Sequence, residues 1–430
     1  MRKLYFIAAL GMIQFFAQAQ THTVSGPKTI YNIPAGTANY AFLNLETGKQ
    51  VAVADSATEK WHMAFNKTKV IFNSGNAGPG TVTGQMLPTD FMSTKSLPAT
   101  GYKTENTAAT IIPTGSGNGW YNYNPATHQI TADESRSFAV KFGNRYALVQ
   151  ILDYYQDQDP TKTASVYSIR CQVTEGTDVS QKYTRVSNLF SGYANRQMFD
   201  LASADTVLTT DSSSSKWNLS FASTNIYANS GVSGPGTTEA MIASGTFNSI
   251  TEAPAGGYAT GSAAVPSGSG NGWYLYNSDT HTINAYADRT IVVKDGLGHY
   301  AKLAVKSYYL GAPAAPAPTD PSRYYTFEYY FNPFIGTDLD VQNATTGINP
   351  VSGIANAFSV YPNPSANGTT HISYPAVFAG QTYQVTDIQG KIVSTAVLDN
   401  SGDAAIATSQ LNPGLYLVHL AGKTQKLIVQ

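Results

Sequence analysis

Two histidines and two methionines of this chain have side chains that can bind a metal, and they stand at related positions of the sequence. His128 and His281 stand at equivalent positions of an internal repeat, each just past a polar turn and beside paired aromatic residues. Met86 and Met241 lie six and five residues beyond two Gly-Pro-Gly turns and are nearly equivalent. Imidazole nitrogen and thioether sulfur can both bind a metal ion, which is why these four residues are considered first. The alternative stays open that the histidines are solvated surface residues and the methionines fill gaps in packing.

The other histidines of the two copies do not recur. When the two copies are aligned, His62 corresponds to Asn218 in the second copy, and His299 corresponds to Arg145 in the first. Neither is therefore predicted to be a shared ligand.

The sequence gives less support for catalysis than for ligand binding by these residues. The sequence holds neither a Gly-Xaa-Ser-Xaa-Gly elbow nor a His-Glu-Xaa-Xaa-His pair, and we predict that the protein is not an enzyme. The carboxylates Asp153, Asp157 and Asp159 do not recur in the second copy, and a turn before a strand is favoured over a calcium site. The single cysteine, Cys171, alternates with apolar neighbours and is interpreted as a small strand residue rather than a nucleophile.

The internal repeat is visible in two glycine-rich segments. Residues 73–80 recur as residues 229–236, a shift of 156, and residues 115–124 recur as residues 268–277, a shift of 153. Both segments are predicted to be loops, since glycine supplies chain reversal and does not fit strand interiors. They neither lead into a helical pattern nor carry a P-loop lysine, which argues against phosphate binding.

The domain organisation follows from this repeat and from the composition of the ends. We predict two copies of one domain, at about residues 24–175 and 179–340, a polar linker at 341–357 and a compact segment at 358–430. Residues 1–19 have the basic start, apolar run and Ala-Gln-Ala end of a secretory signal peptide. No later segment is apolar over the length that a transmembrane helix needs.

Composition predicts an all-β fold. The chain has 37 glycines and 28 tyrosines, and short alternating stretches such as residues 138–142 and 300–306 are typical of half-buried strands. Charged residues make up only 12% and the net charge is -1, which argues against nucleic acid or an anionic membrane surface as partner.

The motifs of the repeat resemble the HmuY-like family. The matching elements are Phe-Xaa-Asn-Leu at 42–45, Trp-Xaa-Xaa-Xaa-Phe at 61–65, the turn at 73–80, Trp-Tyr-Xaa-Tyr-Asn at 120–124 and Tyr-Ala…Tyr-Tyr at 146–155, with equivalents in the second copy. The resemblance implies an all-β domain that binds haem at the surface of Bacteroidota and passes it to an outer-membrane receptor. On this basis His128, His281, Met86 and Met241 become candidate axial ligands of haem iron.

Residues 358–430 resemble the type A sorting domain of type IX secretion. The matching motifs are Phe-Ser-Val-Tyr-Pro-Asn-Pro at 358–364, Val-Thr-Asp-Ile-Gln-Gly-Lys at 385–391, Leu-Asn-Pro-Gly-Leu-Tyr at 411–416 and Lys-Leu-Ile-Val at 426–429. Short strands between Pro/Gly turns predict a small β-sandwich. The resemblance implies recognition by the type IX secretion machinery and export to the cell surface or medium.

Two functional hypotheses follow. The first is an exported, haemophore-like protein with two haem-binding domains, whose partners would include an outer-membrane haem receptor or host haemoproteins. The second is a structural or adhesive surface protein that keeps the fold without haem, because tyrosine-rich, weakly charged surfaces also suit sugars and proteins.

Overall fold

The computed structural model describes residues 22–35, 38–192, 196–341, 358–361, 363–365, 368–374, 378–399, 401–420 and 423–430. The predicted signal peptide and the predicted linker beyond residue 341 lie outside these residues. The chain forms two compact units, Met1–Gly347 and Ile348–Gln430. Both are built from antiparallel sheets, so the all-β prediction is confirmed.

The first repeat of the larger unit contains a six-stranded sheet in the order β2-β13-β12-β11-β7-β8, a four-stranded sheet in the order β4-β3-β5-β6, and the hairpin β9-β10. The strands are β1 (Thr23–Ser25), β2 (Lys28–Pro34), β3 (Ala41–Asn44), β4 (Lys49–Val51), β5 (Met63–Asn66), β6 (Lys69–Phe72), β7 (Thr83–Leu87), β8 (Lys103–Thr104), β9 (Tyr121–Asn124), β10 (Gln129–Ala132), β11 (Ser137–Phe142), β12 (Arg145–Tyr155) and β13 (Ala164–Thr174).

The second repeat has the same strand order. Its large sheet runs β14-β25-β24-β23-β19-β20, its small sheet β16-β15-β17-β18, and its hairpin is β21-β22. The strands are β14 (Thr184–Phe190), β15 (Gln197–Asp200), β16 (Asp205–Val207), β17 (Leu219–Ala222), β18 (Asn225–Ala228), β19 (Glu239–Ser244), β20 (Ala259–Thr260), β21 (Tyr274–Asn277), β22 (Thr282–Ala285), β23 (Arg289–Lys294), β24 (Tyr300–Tyr309) and β25 (Ser322–Phe331).

Short 3₁₀ turns connect some of these strands. They span Val53–Asp55, Gln156–Gln158, Thr209–Asp211, Gly231–Ser233 and Gly261–Ala263.

The large sheets are buried on both faces, which differs from the half-buried strands expected from the alternating sequence. In β11, Phe138 and Val140 pack in the main core of the first repeat, whereas Ala139 packs on the opposite face with Phe91 and Leu97. The connection between β7 and β8 supplies Phe91 and Leu97 and covers that face. A small residue such as alanine on the second face does not mark that face as buried in the sequence. The loop that covers the face cannot be recognised from strand alternation.

The two repeats meet along a seam within the larger unit. Strand β1 leaves the first repeat and pairs with β14, so that Thr23 lies opposite Ser187, and the predicted domain start at residue 24 falls inside this strand. The Thr29 amide donates to the Ala202 carbonyl at 2.7 Å. Elsewhere on the seam the Tyr31 ring stacks on the His299 imidazole, with ring centroids 5.2 Å apart.

Both ring nitrogens of the buried His299 have partners, and one of these partners lies across the seam. Its Nδ1 lies 2.7 Å from Asp295 Oδ2, and its Nε2 lies 2.8 Å from Gln158 Oε1 of the first repeat. The Gln158 amide also donates to the Pro333 carbonyl at 3.0 Å. His299 therefore has a structural role in the contact between the two repeats.

The smaller unit contains a three-stranded sheet, β26-β27-β30, and a four-stranded sheet, β29-β28-β31-β32. Its core draws Ile372 and Ile406 from the first sheet and Val385 and Val418 from the second, as in the predicted sandwich. The strands are β26 (Ser359–Tyr361), β27 (Thr369–Ser373), β28 (Thr382–Asp387), β29 (Ile392–Val397), β30 (Asp403–Ala407), β31 (Gly414–Leu420) and β32 (Lys423–Val429).

Candidate functional site

The two candidate histidines occupy the same position on equivalent hairpins. His128 lies in the turn between β9 and β10, and His281 in the turn between β21 and β22. Both have a positive φ, 57° and 52°, a conformation that non-glycine residues seldom adopt. In each turn an asparagine side chain, Asn124 or Asn277, accepts hydrogen bonds from two amides of the turn. Each hairpin thus holds its histidine in the same backbone conformation.

A tyrosine orients each imidazole ring. The Tyr123 hydroxyl lies 2.6 Å from His128 Nδ1, and the Tyr276 hydroxyl lies 2.8 Å from His281 Nδ1. Since the tyrosine engages Nδ1, a metal ion would have to bind Nε2. A hydrogen bond on the second nitrogen is the usual way in which proteins orient a histidine ligand. Both histidines are exposed, so a ligand can reach them from solvent.

His281 and Tyr276 border a groove of about 390 Å³ in the second repeat. Its walls combine aromatic, apolar and charged side chains; they include Ile283, Tyr308, Tyr309, Pro318, Asp320 and Arg323. The volume falls within the ~300–1,000 Å³ of small-molecule sites. The connection from residue 310 to 321 supplies Pro318 and Asp320, and it is longer than the equivalent connection from 156 to 163 in the first repeat.

Buried aromatic residues hold the hairpins against the large sheets. The Tyr309 hydroxyl accepts from the Ile283 amide at 2.8 Å, and the Tyr155 hydroxyl accepts from the Ile130 amide at 2.9 Å. Repetition of this contact shows that each histidine-bearing hairpin is attached to the core in the same way.

The two tryptophans that open the hairpins are anchored as well. The Trp120 and Trp273 indole N–H groups donate to the Thr68 and Thr224 carbonyls at 2.9 and 2.8 Å. Both rings are buried. The Gly-Trp-Tyr motif therefore has a structural role beside the candidate ligands.

The candidate methionines are not equivalent, and their interpretation as a matched pair is wrong. Met86 lies opposite Phe138 in the sheet and packs toward the main core, where its sulfur lies 3.7 Å from Arg136 Nη1. Met241 lies opposite Val292 and packs on the other face of its sheet. The strand register matches Met86 to Ile242, and a one-residue offset in a strand reverses the face on which a side chain lies.

The remaining candidates have structural surroundings. Cys171 lies in strand β13, as predicted. It is fully buried there, and burial raises the pKa of its thiol. Asp157 and Asp159 lie in the turn between β12 and β13, where the Asn32 amide donates to Asp157 Oδ1 at 2.7 Å. Across the described residues no group of three or more His, Cys, Asp or Glu side chains is arranged to hold a metal ion.

In the part of the chain that the structure describes, no helix has the length and apolar character to span a bilayer.

Comparison with protein families gives two matches. Residues 36–171 match the family model of the HmuY protein, and residues 359–430 match that of the secretion system C-terminal sorting domain. The first match lies within the first repeat, and the second covers nearly all of the predicted C-terminal segment. The sorting-domain match indicates export by type IX secretion. No curated protein matches the chain.

Solved structures similar to part of the chain include three Bacteroidota proteins. A candidate HmuY-like heme-binding protein of Bacteroides vulgatus is 20% identical over 34% of this chain and 92% of its own, with a TM-score of 0.25. The apo HmuY analog of Tannerella forsythia is 17% identical over 36% of this chain and 97% of its own, with a TM-score of 0.25.

Apo PinO of Porphyromonas gingivitis is 21% identical over 35% of this chain and 97% of its own, with a TM-score of 0.26. The chain thus matches the HmuY family over most of its first repeat and the secretion sorting-domain family over its C-terminal unit.

Proposed function

We propose that this protein is an exported haem-binding protein that captures haem at the bacterial surface for iron acquisition. The observation that carries the proposal is the pair of equivalent Tyr–His hairpins, Tyr123 with His128 and Tyr276 with His281. The HmuY family match of the first repeat supports it. We extend the assignment to the second repeat because its sheets follow the same strand order.

The groove beside His281 is the proposed principal site. Haem needs an axial ligand and apolar or aromatic side chains against the porphyrin, and the groove offers His281 Nε2 with Tyr276, Tyr308 and Ile283. Arg323 in the same wall offers a cation for a haem propionate. His128 is the proposed ligand of the first repeat, and Met86 and Met241 are less suited to complete equivalent sites because they lie on opposite sheet faces.

Export completes the proposal. The sorting-domain match supports type IX secretion machinery as one partner. An outer-membrane haem receptor and host haemoproteins are the proposed partners after export.

An absorption titration of the purified chain with haem tests the ligands. We expect a saturable Soret shift with two haems per chain, one of which His281→Ala removes and the other His128→Ala. His371→Ala, in the smaller unit, is the control and is expected to leave both steps unchanged. A double variant, His128→Ala with His281→Ala, that titrates like the unmodified chain would refute the ligand assignment.

The tyrosine hydroxyls provide a second prediction. Tyr276→Phe removes the hydrogen bond to His281 Nδ1 and keeps the ring, so the apparent haem Kd of that site is expected to rise by about 10-fold or more. Tyr123→Phe is expected to do the same at His128 and to leave the His281 site unchanged. Equal haem affinity in Tyr276→Phe and the unmodified chain would mean that the hydrogen bond does not orient a ligand.

The groove also favours a second candidate function, recognition of a glycan. Tyr276 is 44% exposed, and Asp320 and Arg323 lie in the same wall, as in sites where a sugar ring stacks on an aromatic face beside polar groups. Absence of any Soret shift, together with glycan binding that Tyr276→Ala abolishes, would make the adhesive hypothesis the better one.

A further inference from the structure

A small cavity at the seam between the two repeats has two buried cationic side chains, Arg170 and Lys182, among its lining residues. The Lys28 ammonium, whose residue also lines the cavity, donates to the Glu46 carbonyl. The volume of the cavity is about 10 Å³, the space of one water-sized particle. Lys28 and Arg170 reach it from the first repeat, Thr184 and Tyr330 from the second, and Lys182 from the segment that joins them. No carboxylate is among the lining residues.

Arg170 brings a buried guanidinium to this cavity. Its side chain is 4% exposed and stacks over the Phe91 ring at 4.3 Å. Nη2 donates to Gln150 Oε1 at 2.9 Å, and Nη1 lies 3.6 Å from the Met92 sulfur. Nε has no hydrogen-bond partner among the described residues. The Tyr330 side chain is a further hydrogen-bond partner of the guanidinium, so Nε is the part of it that lacks an acceptor.

Lys182 places a second buried cation at the same cavity. Its residue is 3% exposed, and its Nζ lies 4.7 Å from the centre of the Phe91 ring without a hydrogen-bond partner among the described residues. Burial, and then the Arg170 charge, lower the pKa of Lys182 to about 7. Asp90 and Asp178 act in the opposite direction from a distance, and neither forms an ion pair with Lys182 in the described part of the chain.

The other fully buried lysine shows what a satisfied ammonium looks like in this protein. Lys302 Nζ donates to the Phe247 carbonyl at 2.6 Å and to the Ile250 carbonyl at 2.9 Å. Burying a charge without such partners is strongly unfavourable. The Lys182 ammonium and the Arg170 Nε–H therefore lack an acceptor that the protein provides elsewhere.

We propose that the seam cavity binds one chloride ion, held by Lys182 Nζ and Arg170 Nε. Chloride is slightly larger than water, so the lining side chains shift by a few tenths of an ångström when it binds. An anion supplies the missing acceptor together with a negative charge in contact, which Asp90, Asp178 and Glu134 supply only from a distance. A water molecule supplies only the acceptor. The cavity is lined by both repeats, so the bound anion stabilises their docking by mass action. This site is separate from the proposed haem groove, which lies at the His281 hairpin of the second repeat.

Bromide locates the site directly. Crystals of the full chain grown with sodium bromide in place of chloride are expected to show an anomalous peak in the cavity, within hydrogen-bond distance of Lys182 Nζ and Arg170 Nε. An empty cavity, or a water without anomalous signal at high bromide, overturns the proposal.

Thermal unfolding at constant ionic strength gives an independent test. Replacing sodium gluconate by sodium chloride is expected to raise the Tm of the full chain by roughly 2–4 °C at saturation. In Lys182→Met the rise is expected to vanish, because the variant needs no counter-ion. Lys302→Met is the matched control: it loses the two carbonyl contacts and some stability, and it keeps the chloride-dependent rise. Equal Tm values of the unmodified chain in the two salts would mean that Lys182 is accommodated as the neutral amine.

Discussion

Alanine at Gly78 or at Gly234 is expected to destabilise the larger unit by about 3 kcal/mol. A Cβ at Gly78 would lie 2.2 Å from Asn73 Oδ1 and 2.6 Å from Trp61 Cζ2. At Gly234 the same atom would lie 2.1 Å from Asn229 Oδ1 and 2.6 Å from Trp217 Cζ2. The requirement for glycine is steric, since Gly234 has an extended backbone with φ 177°.

The cost is large because the displaced asparagine holds three backbone groups together. The Asn73 side-chain amide donates to the Thr58 and Trp61 carbonyls, both at 2.9 Å, and its Oδ1 accepts from the Gly80 amide at 2.9 Å. Asn229 makes the same three bonds in the second repeat. Asn73 is fully buried, so a shift of its side chain leaves polar groups without partners.

Urea unfolding of the full chain measures this effect. Gly176→Ala and Gly256→Ala are matched controls, since an added Cβ at either position meets nothing within 4 Å. We expect the controls to unfold close to the unmodified chain and the Gly78 and Gly234 variants at clearly lower urea. Equal midpoints for Gly78→Ala and Gly176→Ala would show that the Asn73 turn can open without loss of stability.

Such turns explain why much of the fold could be predicted from the sequence. The Asn-Ser-Gly-Xaa-Xaa-Gly-Pro-Gly segments combine chain reversal with one buried asparagine, and both features are local. Strand alternation and the internal shift then place the remaining loops. The equivalence of His128 and His281 was predictable for the same reason, because turn chemistry and a shared motif fix both positions.

Register and seam contacts could not be predicted in this way. Met86 and Met241 look equivalent when residues are counted from a turn, yet one residue of offset puts them on opposite faces. The seam depends on residues that do not repeat, such as Tyr31, Gln158 and His299, whose pairing spans long sequence separations. The hydrogen bonds from Tyr123 and Tyr276 to the histidines were not predicted, although the sequence contains a signal for them. In both copies a tyrosine stands five residues before the histidine.

His62→Asn is expected to make the protein more resistant to acid. His62 is 7% exposed, its Nδ1 accepts from the Leu45 amide at 3.0 Å, and its ring stacks on Phe142 with centroids 4.0 Å apart. Burial lowers the pKa of His62 to about 4, and the nearby Glu46 opposes this only in part. Protonation would charge a buried ring and convert the accepting nitrogen into a donor.

The sign of the pH effect follows from this lowered pKa. Between about pH 6.5 and pH 4 the unfolded chain binds a proton at His62 that the folded chain does not, so the free energy of unfolding falls as the pH falls through that window. A pKa shift of this size lowers the free energy of unfolding by about 3 kcal/mol in total. The full loss is reached only below pH 4. Above pH 6.5 the residue causes no pH dependence.

The second repeat supplies the substitution that tests this. Asn218 occupies the equivalent position, and its Oδ1 accepts from the Leu201 amide at 2.8 Å without any titrating group. Urea unfolding at about pH 7 and pH 4.5 is therefore expected to show a smaller loss in His62→Asn than in the unmodified chain. His128→Asn, which changes an exposed histidine of the same repeat, is expected to keep the full loss. An NMR titration in which the His62 ring protons shift near pH 6.5 would contradict the account, because a ring that titrates normally in the folded state cannot make stability depend on pH.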